Sequence, residues 1–486
     1  MARGKLGWAA WVAGWSFKLG FAAVALLLPL SGVWIASSLA AHHDGPLWAS
    51  LVAGALCFPV LPLAWDLVAG WRRSRAGAPR PRVLTGFDRL LLRTLAVNVV
   101  FVGGLLAVFP ASTYEALSTR GDWMLRGSQA SWANSTRSTL FGVAERMQWL
   151  HEATHENAYE DLIDPSLTQT KDGTAPEAGR TLDRTTPSTP AVSPDDLLRA
   201  DGWPFAPTLH PLVASMPSEA ETSIESVARY IVDNEADPVQ RVKALHDYVA
   251  SRVAYDVPAL EADRFPPQDA AAVFSRGTAV CAGYAALLAA LGDAAGIEIV
   301  VVVGDARDSD GLFDGRGHAW NAINIDGKWF LVDATWDAGH VSGSGFVEDY
   351  DAGYFMTPPE VFVASHMPDD PKWQLLPAAL SHGDFLRQPH LRPSFAALGL
   401  ELVEPRRARH DVRQGDQLTL NFTNPNGFAL SGSVRSTDDG DSSHRRCKTN
   451  QERTTMVCTF DDPGRRLIAL FGPEGAFLGQ IYVDVQ

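Results

Sequence analysis

The first 118 residues alternate long apolar runs with short polar loops. Leu19 to His43 holds no formally charged residue, Leu47 to Trp71 holds one acid (Asp66), and Thr94 to Tyr114 is again uncharged. Each run is long enough to cross a hydrocarbon layer of about 30 Å, so residues 1–118 read as an anchor of three transmembrane helices. A cleavable signal peptide has a shorter apolar core and no further spans behind it. Over 122–163, Trp132, Leu140, Val143, Met147 and Leu150 recur at roughly helical spacing, which predicts a juxtamembrane helix within 119–164. Residues 165–195 turn to Pro, Thr, Ser, Gly, Asp and Glu with few large apolar side chains, predicting a flexible linker over 165–200.

The globular pattern begins near Glu221, in a domain placed at 201–392. Ile224–Asp233 and Pro238–Val253 read as amphipathic helices; Leu245, Val249 and Val253 share a face of the second. Val280 to Ala295 is an Ala/Leu helix that Gly296 stops. Ile297–Val303 is a buried strand by its β-branched run. Trp320–Ile325 and Lys328–Ala334 are strands flanking Asp326-Gly327, a two-residue hairpin signal. Residues 393–486 alternate in short strands at Leu418–Phe422, Ser431–Arg435, Thr455–Phe460, Leu467–Phe471 and Gln480–Val485. Turn signals such as Asn424-Pro425-Asn426-Gly427 separate them, predicting an all-β sandwich. The fold class is therefore α+β behind a helical anchor.

Charge sharpens this division. The chain carries a net −15, yet residues 1–114 hold ten Lys and Arg against three Asp and Glu. An acidic soluble part argues against nucleic acid as partner, because phosphate binding draws on Lys and Arg. Arg3, Lys5 and Lys18 precede the first run; Arg72, Arg73, Arg75, Arg80, Arg82, Arg89 and Arg93 lie between the second and third. The loop of His42, His43 and Asp44 has no Lys or Arg. Positive loops stay cytoplasmic, so the N-terminus is expected inside and everything after Tyr114 outside. Asp66 is expected to snorkel from the cytoplasmic end of its span.

Three side chains carry candidate chemistry. Cys281 falls in the first turn of its helix, where unpaired N–H groups and the helix dipole favour thiolate over thiol. His318 enters the first hairpin strand and Asp333 lies near the end of the second. If Ile325 pairs with Lys328, Asp333 opposes Trp320. His318 and Asp333 are then diagonal neighbours on one face, about 7–8 Å apart at the backbone. That geometry lets a carboxylate orient an imidazole, which in turn deprotonates a thiol. His151-Glu152-Ala153-Thr154-His155 fits H-E-x-x-H, the zinc-gripping pattern, but Glu156 stands where metalloproteases carry an uncharged residue. A third ligand would come from Glu160, Asp161 or Asp164, and a solvated helix face is the favoured reading. The acidic loop Asp305 to Gly311, followed by Asp314, has incomplete calcium-ligand spacing and is expected to be solvated. Cys447 and Cys458 bracket ten residues and face each other across a predicted hairpin; outside the cytoplasm a disulfide is favoured. Cys57 lies in a span, leaving this one natural pair. Asn134-Ser135-Thr136 and Asn421-Phe422-Thr423 fit the glycosylation pattern.

At its chemical residues the sequence resembles the transglutaminase-like superfamily. The motifs are Val280-Cys281-Ala282-Gly283-Tyr284, Gly317-His318-Ala319-Trp320-Asn321 and Val332-Asp333-Ala334-Thr335-Trp336. Ser365-His366-Met367-Pro368-Asp369-Asp370-Pro371-Lys372-Trp373-Gln374-Leu375-Leu376 resembles a block of the kyphoscoliosis-peptidase branch. The resemblance covers about 222–400 and implies a papain-like core. It further implies Cys281 as nucleophile, His318 as general acid/base and Asp333 as the residue orienting the imidazole. The backbone N–H of Cys281 is one expected oxyanion donor, with Tyr255 a weaker candidate for a second. Tyr284, Trp320 and Trp336 are candidate cleft walls, although core packing suits Trp320 and Trp336 equally. No cofactor is implied. The expected partners are the membrane and a protein or peptide substrate in the cell envelope.

Overall fold

The computed structural model describes residues 20, 23–25, 27–43, 45–75, 85–126, 128, 130–154, 157–170, 200, 202–307, 311–313, 315–343, 345–437 and 444–486, which divide into two units, Met1–His155 and Glu156–Gln486. In the first unit, three helices are long and apolar enough to cross a membrane: α1 (Ala23–His42), α2 (Trp48–Arg72) and α3 (Gly86–Val108). The third begins earlier than its apolar run, because Thr85 caps it through a box with Asp88. It ends at Val108, where Phe109 leaves helical dihedrals ahead of Pro110. Ala111 to Tyr114 therefore belong to the next helix, α4 (Pro110–Arg120). Asp66 does not snorkel alone: it pairs with Arg93 and lies 3.7 Å from Arg89 Nε, both on α3.

The single long helix expected over 122–163 is broken. A 3-10 turn at Trp123–Leu125, α5 (Ser131–Glu145) and one turn at Trp149–Glu152 replace it. Buried Arg137 holds the break: its guanidinium donates to Asp122 Oδ2 (3.0 Å), Asn134 Oδ1 (2.8 Å) and the carbonyls of Leu125 (2.7 Å) and Ser128 (2.9 Å). His151 is buried, its ring 5.7 Å from Tyr114, so it does not sit on a solvated helix face; His155 lies outside the described residues.

The second unit opens with residues 157–170, which pack as a strap on the core below. Tyr159 and Ile163 are buried in it, with Leu162 and Leu167 against it. Asp164 caps the turn Pro165–Thr168, so described chain continues past the linker start expected at 165; residues 171–199 lie outside the described set. Helix α6 (Ile224–Asn234) starts from a Ser223–Ser226 capping box, and α7 (Pro238–Arg252) from an Asp237 cap with proline behind it. Two short strands, β1 (Ala254–Tyr255) and β2 (Thr278–Ala279), pair in parallel. Helix α8 (Cys281–Ala295) is apolar on nearly every face and is accordingly buried over most of its length, to Gly292. Gly296, at φ 72°, ends it, with the Ile297 N–H donating back to the Gly292 carbonyl.

Strands β3 (Glu298–Ala306), β4 (His318–Ile325) and β5 (Lys328–Val332), helix α9 (Ala334–Ala338) and strand β6 (His366–Pro368) complete the frame of the site. The antiparallel sheet runs β5-β4-β3-β6. Ile299, Val301, Ala319 and Ile323 face the core that holds α8. Val300, Val302, Trp320, Ala322, Trp329 and Leu331 pack on Phe362 and Trp373 instead. Strand β3 runs to Ala306, further than its apolar run. Asp305 and Arg307 are therefore buried rather than part of a solvated loop. Arg307 is held by the carbonyls of Gly311 (2.8 Å), Ala364 (3.1 Å), Gln388 (3.1 Å) and Phe385. Residues 308–310 and 314 of that acidic loop lie outside the described set.

Beyond residue 398 two antiparallel-rich sheets enclose an apolar core of Leu420, Phe422, Met456, Ile468, Leu470, Ile481 and Val483 among others. All five expected strands are present, at Gln417–Thr423, Ser431–Ser436, Thr455–Thr459, Gly464–Phe471 and Phe477–Val485. A disulfide joins Cys447 to Cys458, their Cα atoms 4.4 Å apart.

Candidate active site

The hairpin register holds through Asn321↔Val332, with Ile325 opposite Lys328. It stops there, because Asp333 is not a strand residue. It is the N-cap of α9, and its Oδ1 accepts from the N–H groups of Thr335 (2.8 Å) and Trp336 (3.3 Å). Capping aims the other oxygen, Oδ2, across the strand end, where it meets His318 Nε2 at 2.7 Å. A ring nitrogen facing a carboxylate carries the proton, which leaves Nδ1 outside that bond; Cys281 is near enough to favour the charged imidazole.

Cys281 occupies the first helical position of α8, where an N–H has no intrahelical acceptor. The turn before it is held by Gln268, whose Oε1 accepts from Val280 N (3.1 Å) and whose amide donates to the Pro266 carbonyl (2.9 Å). A side chain at Gly283 would meet that Gln268 oxygen at 2.5 Å and Ala279 Cβ at 2.6 Å. Glycine is what lets the helix start close against its entry loop. Asn321, the last residue of the second motif, donates to the Ala285 carbonyl (3.0 Å) and ties β4 to α8.

The triad is buried: Cys281 is 0% exposed, His318 6% and Asp333 1%. Burial opposes the charged imidazole, but Asp333 and Cys281 outweigh it and push His318 up to about 10. Burial likewise opposes the Asp333 carboxylate; its bonds from His318 and His366 outweigh that and hold it well below the usual carboxylate range. Oδ2 is shared, because His366 Nε2 lies 3.1 Å from it. His318, Asp333 and His366 each offer one ligand atom that could hold a metal, all within 4.8 Å of one another. Their mutual hydrogen bonds join the three without an ion.

Of the candidate cleft walls, Tyr284 and Trp320 are fully buried core residues, the Tyr284 hydroxyl donating to the Val253 carbonyl. Trp336 is half-buried, with its ring 5.6 Å from that of His318. Tyr255 stands opposite Ala279, two residues before Cys281. Burial, then Cys281 and the Tyr159 hydroxyl it bonds, push its phenol well above the ordinary range. A second network underlies α9: Asp247 accepts from Lys243 Nζ (2.5 Å) and Tyr350 (2.5 Å), while His246 lies between Asp247 (3.0 Å) and Asp337 (3.2 Å). Burial disfavours a charged His246, but the two carboxylates outweigh it and raise it.

Sequence reasoning gave no role to Asn157, Gln268 or His366. Asn157 Nδ2 donates to the carbonyls of Gly304 (3.0 Å) and of His318 itself (3.3 Å). No periodicity ties it to a site 161 residues away. His366 had a signal, in its Ser365–Leu376 block, but no link to Asp333 33 residues earlier.

The sequence profile of the transglutaminase-like superfamily matches residues 225–334. The kyphoscoliosis peptidase of Mus musculus is 33% identical over 180 residues, covering 34% of this chain and 26% of that protein. The kyphoscoliosis peptidase of Homo sapiens is 30% identical over 199 residues, covering 38% and 29%. Hillarin of Drosophila melanogaster is 29% identical over 99 residues, covering 18% and 12%. The chain spans less than a third of the length of these relatives.

Proposed function

We propose, from the premise that residues 225–334 belong to the transglutaminase-like superfamily, that this protein is a membrane-anchored extracytoplasmic cysteine enzyme acting on amide bonds of envelope proteins or peptides. The observation that carries the reading is the buried chain from Cys281 through His318 to Asp333, closed by the 2.7 Å bond between the last two. In this mechanism the Cys281 thiolate attacks the amide carbonyl carbon, and the carbonyl electron pair moves to oxygen. The backbone N–H of Cys281 is the first donor to that oxyanion. Collapse breaks the C–N bond, with His318 delivering its proton to the leaving amine and a thioester remaining on Cys281. His318, now neutral, takes a proton from water as it attacks the thioester. The acid leaves and the thiolate–imidazolium pair returns. An amine in place of water would give a cross-link. We favour hydrolysis because two of the matched relatives are named peptidases, a warrant of analogy.

Three apolar N-terminal helices support membrane anchoring, and the Lys and Arg distribution supports a cytoplasmic N-terminus. The Cys447–Cys458 disulfide suits an oxidising compartment. A second reading, a non-catalytic envelope scaffold, draws on the complete burial of Cys281.

The test incubates the detergent-solubilised full chain with a peptide pool and a primary-amine probe, reading new termini and amine adducts by mass. Cys281→Ala is expected to lower either activity at least about a thousandfold. Turnover that survives Cys281→Ala refutes the triad. Absence of turnover in both forms, with partner capture intact, selects the scaffold.

A further inference from the structure

We propose that His366 is a positioning residue of this site: its Nε2–H donates to Asp333 Oδ2 and fixes that oxygen where it accepts from His318. The inference rests on the reading of Cys281, His318 and Asp333 as a catalytic unit. Sheet order makes the arrangement possible. Strand β3 lies between β4 and β6, with Gly304 opposite His318 on one side and Ala306 opposite His366 on the other. Gly304 and Ala306 are two apart on one strand, so the two imidazoles are brought to the same face. The ring centroids stand 5.5 Å apart, and Asp333 Oδ2 is reached by both imidazoles. Gly304 permits the close approach of β6: a Cβ there would meet the Met367 carbonyl oxygen at 2.2 Å.

The protonation of His366 follows from its neighbours. Nε2 faces a carboxylate and so carries the hydrogen. Nδ1 lies 2.9 Å from Ser365 Oγ, whose single hydroxyl hydrogen is shared between that nitrogen and the Phe362 carbonyl at 3.3 Å. Phe362 (4.2 Å), Trp336 (4.5 Å), Trp320 (5.2 Å) and Tyr354 (5.3 Å) wall the ring between centroids. Among the described residues, the charged or titratable groups facing it are Asp333 and His318, with the Tyr354 phenol behind Ser365. An apolar cage of this kind excludes a second charge. Burial, reinforced by His318, lowers His366 to about 4 although Asp333 opposes the shift. His366 thus stays a neutral donor where His318 becomes a cation. Four donors saturate the Asp333 carboxylate: two backbone N–H groups on Oδ1 and two imidazoles on Oδ2. Without His366, Oδ2 keeps one donor and the carboxylate is free to turn about its own cap.

The test measures the rate of Cys281 alkylation against pH in the full chain in detergent, read by intact mass, for wild type, His366→Phe and His366→Gln. Phenylalanine keeps the ring volume and loses the donor; glutamine restores an N–H near the Nε2 position. In His366→Phe the acid limb of the profile is expected to move up by about one pH unit, with labelling at pH 5.5 falling about tenfold. His366→Gln should return the limb to within about threefold of wild type, a rescue that ring packing alone would not give. If His366→Phe does not fold, His366→Met supplies the donor-free comparison. A donor-free variant within twofold of wild type from pH 5 to 8, where wild type itself shows low-pH labelling, overturns the inference alone. A wild-type chain that labels only as a free thiol overturns the catalytic reading and the inference with it.

Discussion

His318 gives the site a pH signature that stability measurements can read. Its folded value, near 10, lies above the ordinary imidazole value of about 6.5. The folded chain therefore holds that proton more tightly, and the pair contributes fully below about pH 6.5 and fades as pH rises through about 10. His366 acts in the opposite sense. Its folded value near 4 means the unfolded chain takes up a proton first on acidification, so stability is lost between about 6.5 and 4. Asp333, held below the carboxylate range, adds its own loss at still lower pH. Melting of the full chain in detergent is expected to peak near about pH 6.5, with His318→Gln flattening the alkaline limb. A wild-type melting temperature that holds constant from pH 6.5 to 9.5 contradicts the assigned pairing. At this scale the sequence brought Cys281, His318 and Asp333 into view together, because each sits in a recognisable local motif. Asp333 was misread only in its setting. It looked like the end of a strand, whereas Thr335 and Trp336 offer N–H groups that a short acceptor caps, and capping wins over one more ladder pair.

Elements near in sequence were read well, and elements distant in sequence were not. The Asp326-Gly327 turn fixes the β4–β5 register residue by residue, so their pairing follows from the turn. Nothing local says that β3 pairs on its far side with β6, or that 157–170 straps the same core. The strap's residues up to 164 read as juxtamembrane helix and those from 165 as linker, although Tyr159 and Ile163 are buried in the core. Asn157 is its polar clasp. Asn157→Ala leaves the Gly304 and His318 carbonyls without that donor and is expected to cost about 1–3 kcal/mol. A folded Asn157→Ala chain within 0.5 kcal/mol of wild type by denaturant titration, on the usual scatter of neutral surface changes of about that size, refutes the clasp.

Over the whole molecule, the charge split and the hydropathy pattern mark three candidate spans and leave their direction to be measured. Residues 1–114 hold nearly all their Lys and Arg before the first span and between the second and third. A reporter fused after Tyr114 is expected to be active on the outer side of the membrane only. Activity confined to the cytoplasm reverses the orientation and removes the setting in which Cys447–Cys458 is favoured. The β-domain was legible from its alternating strands. The broken helix after α4 was not, because three of Arg137's four partners, Asp122, Leu125 and Ser128, lie in the segment before its helix, whose sequence gives no sign of the turn.

The central claim is that His318 activates Cys281, and one comparison tests it most directly. Wild type, His318→Ala and Cys281→Ala are alkylated side by side at pH 6, well under the free-thiol value of about 8.5. The account predicts single-site labelling that is lost in Cys281→Ala and at least about tenfold slower in His318→Ala, the change expected when a thiolate loses its paired imidazolium. Equal, slow labelling of wild type and His318→Ala would mean the thiol and the imidazole do not act together.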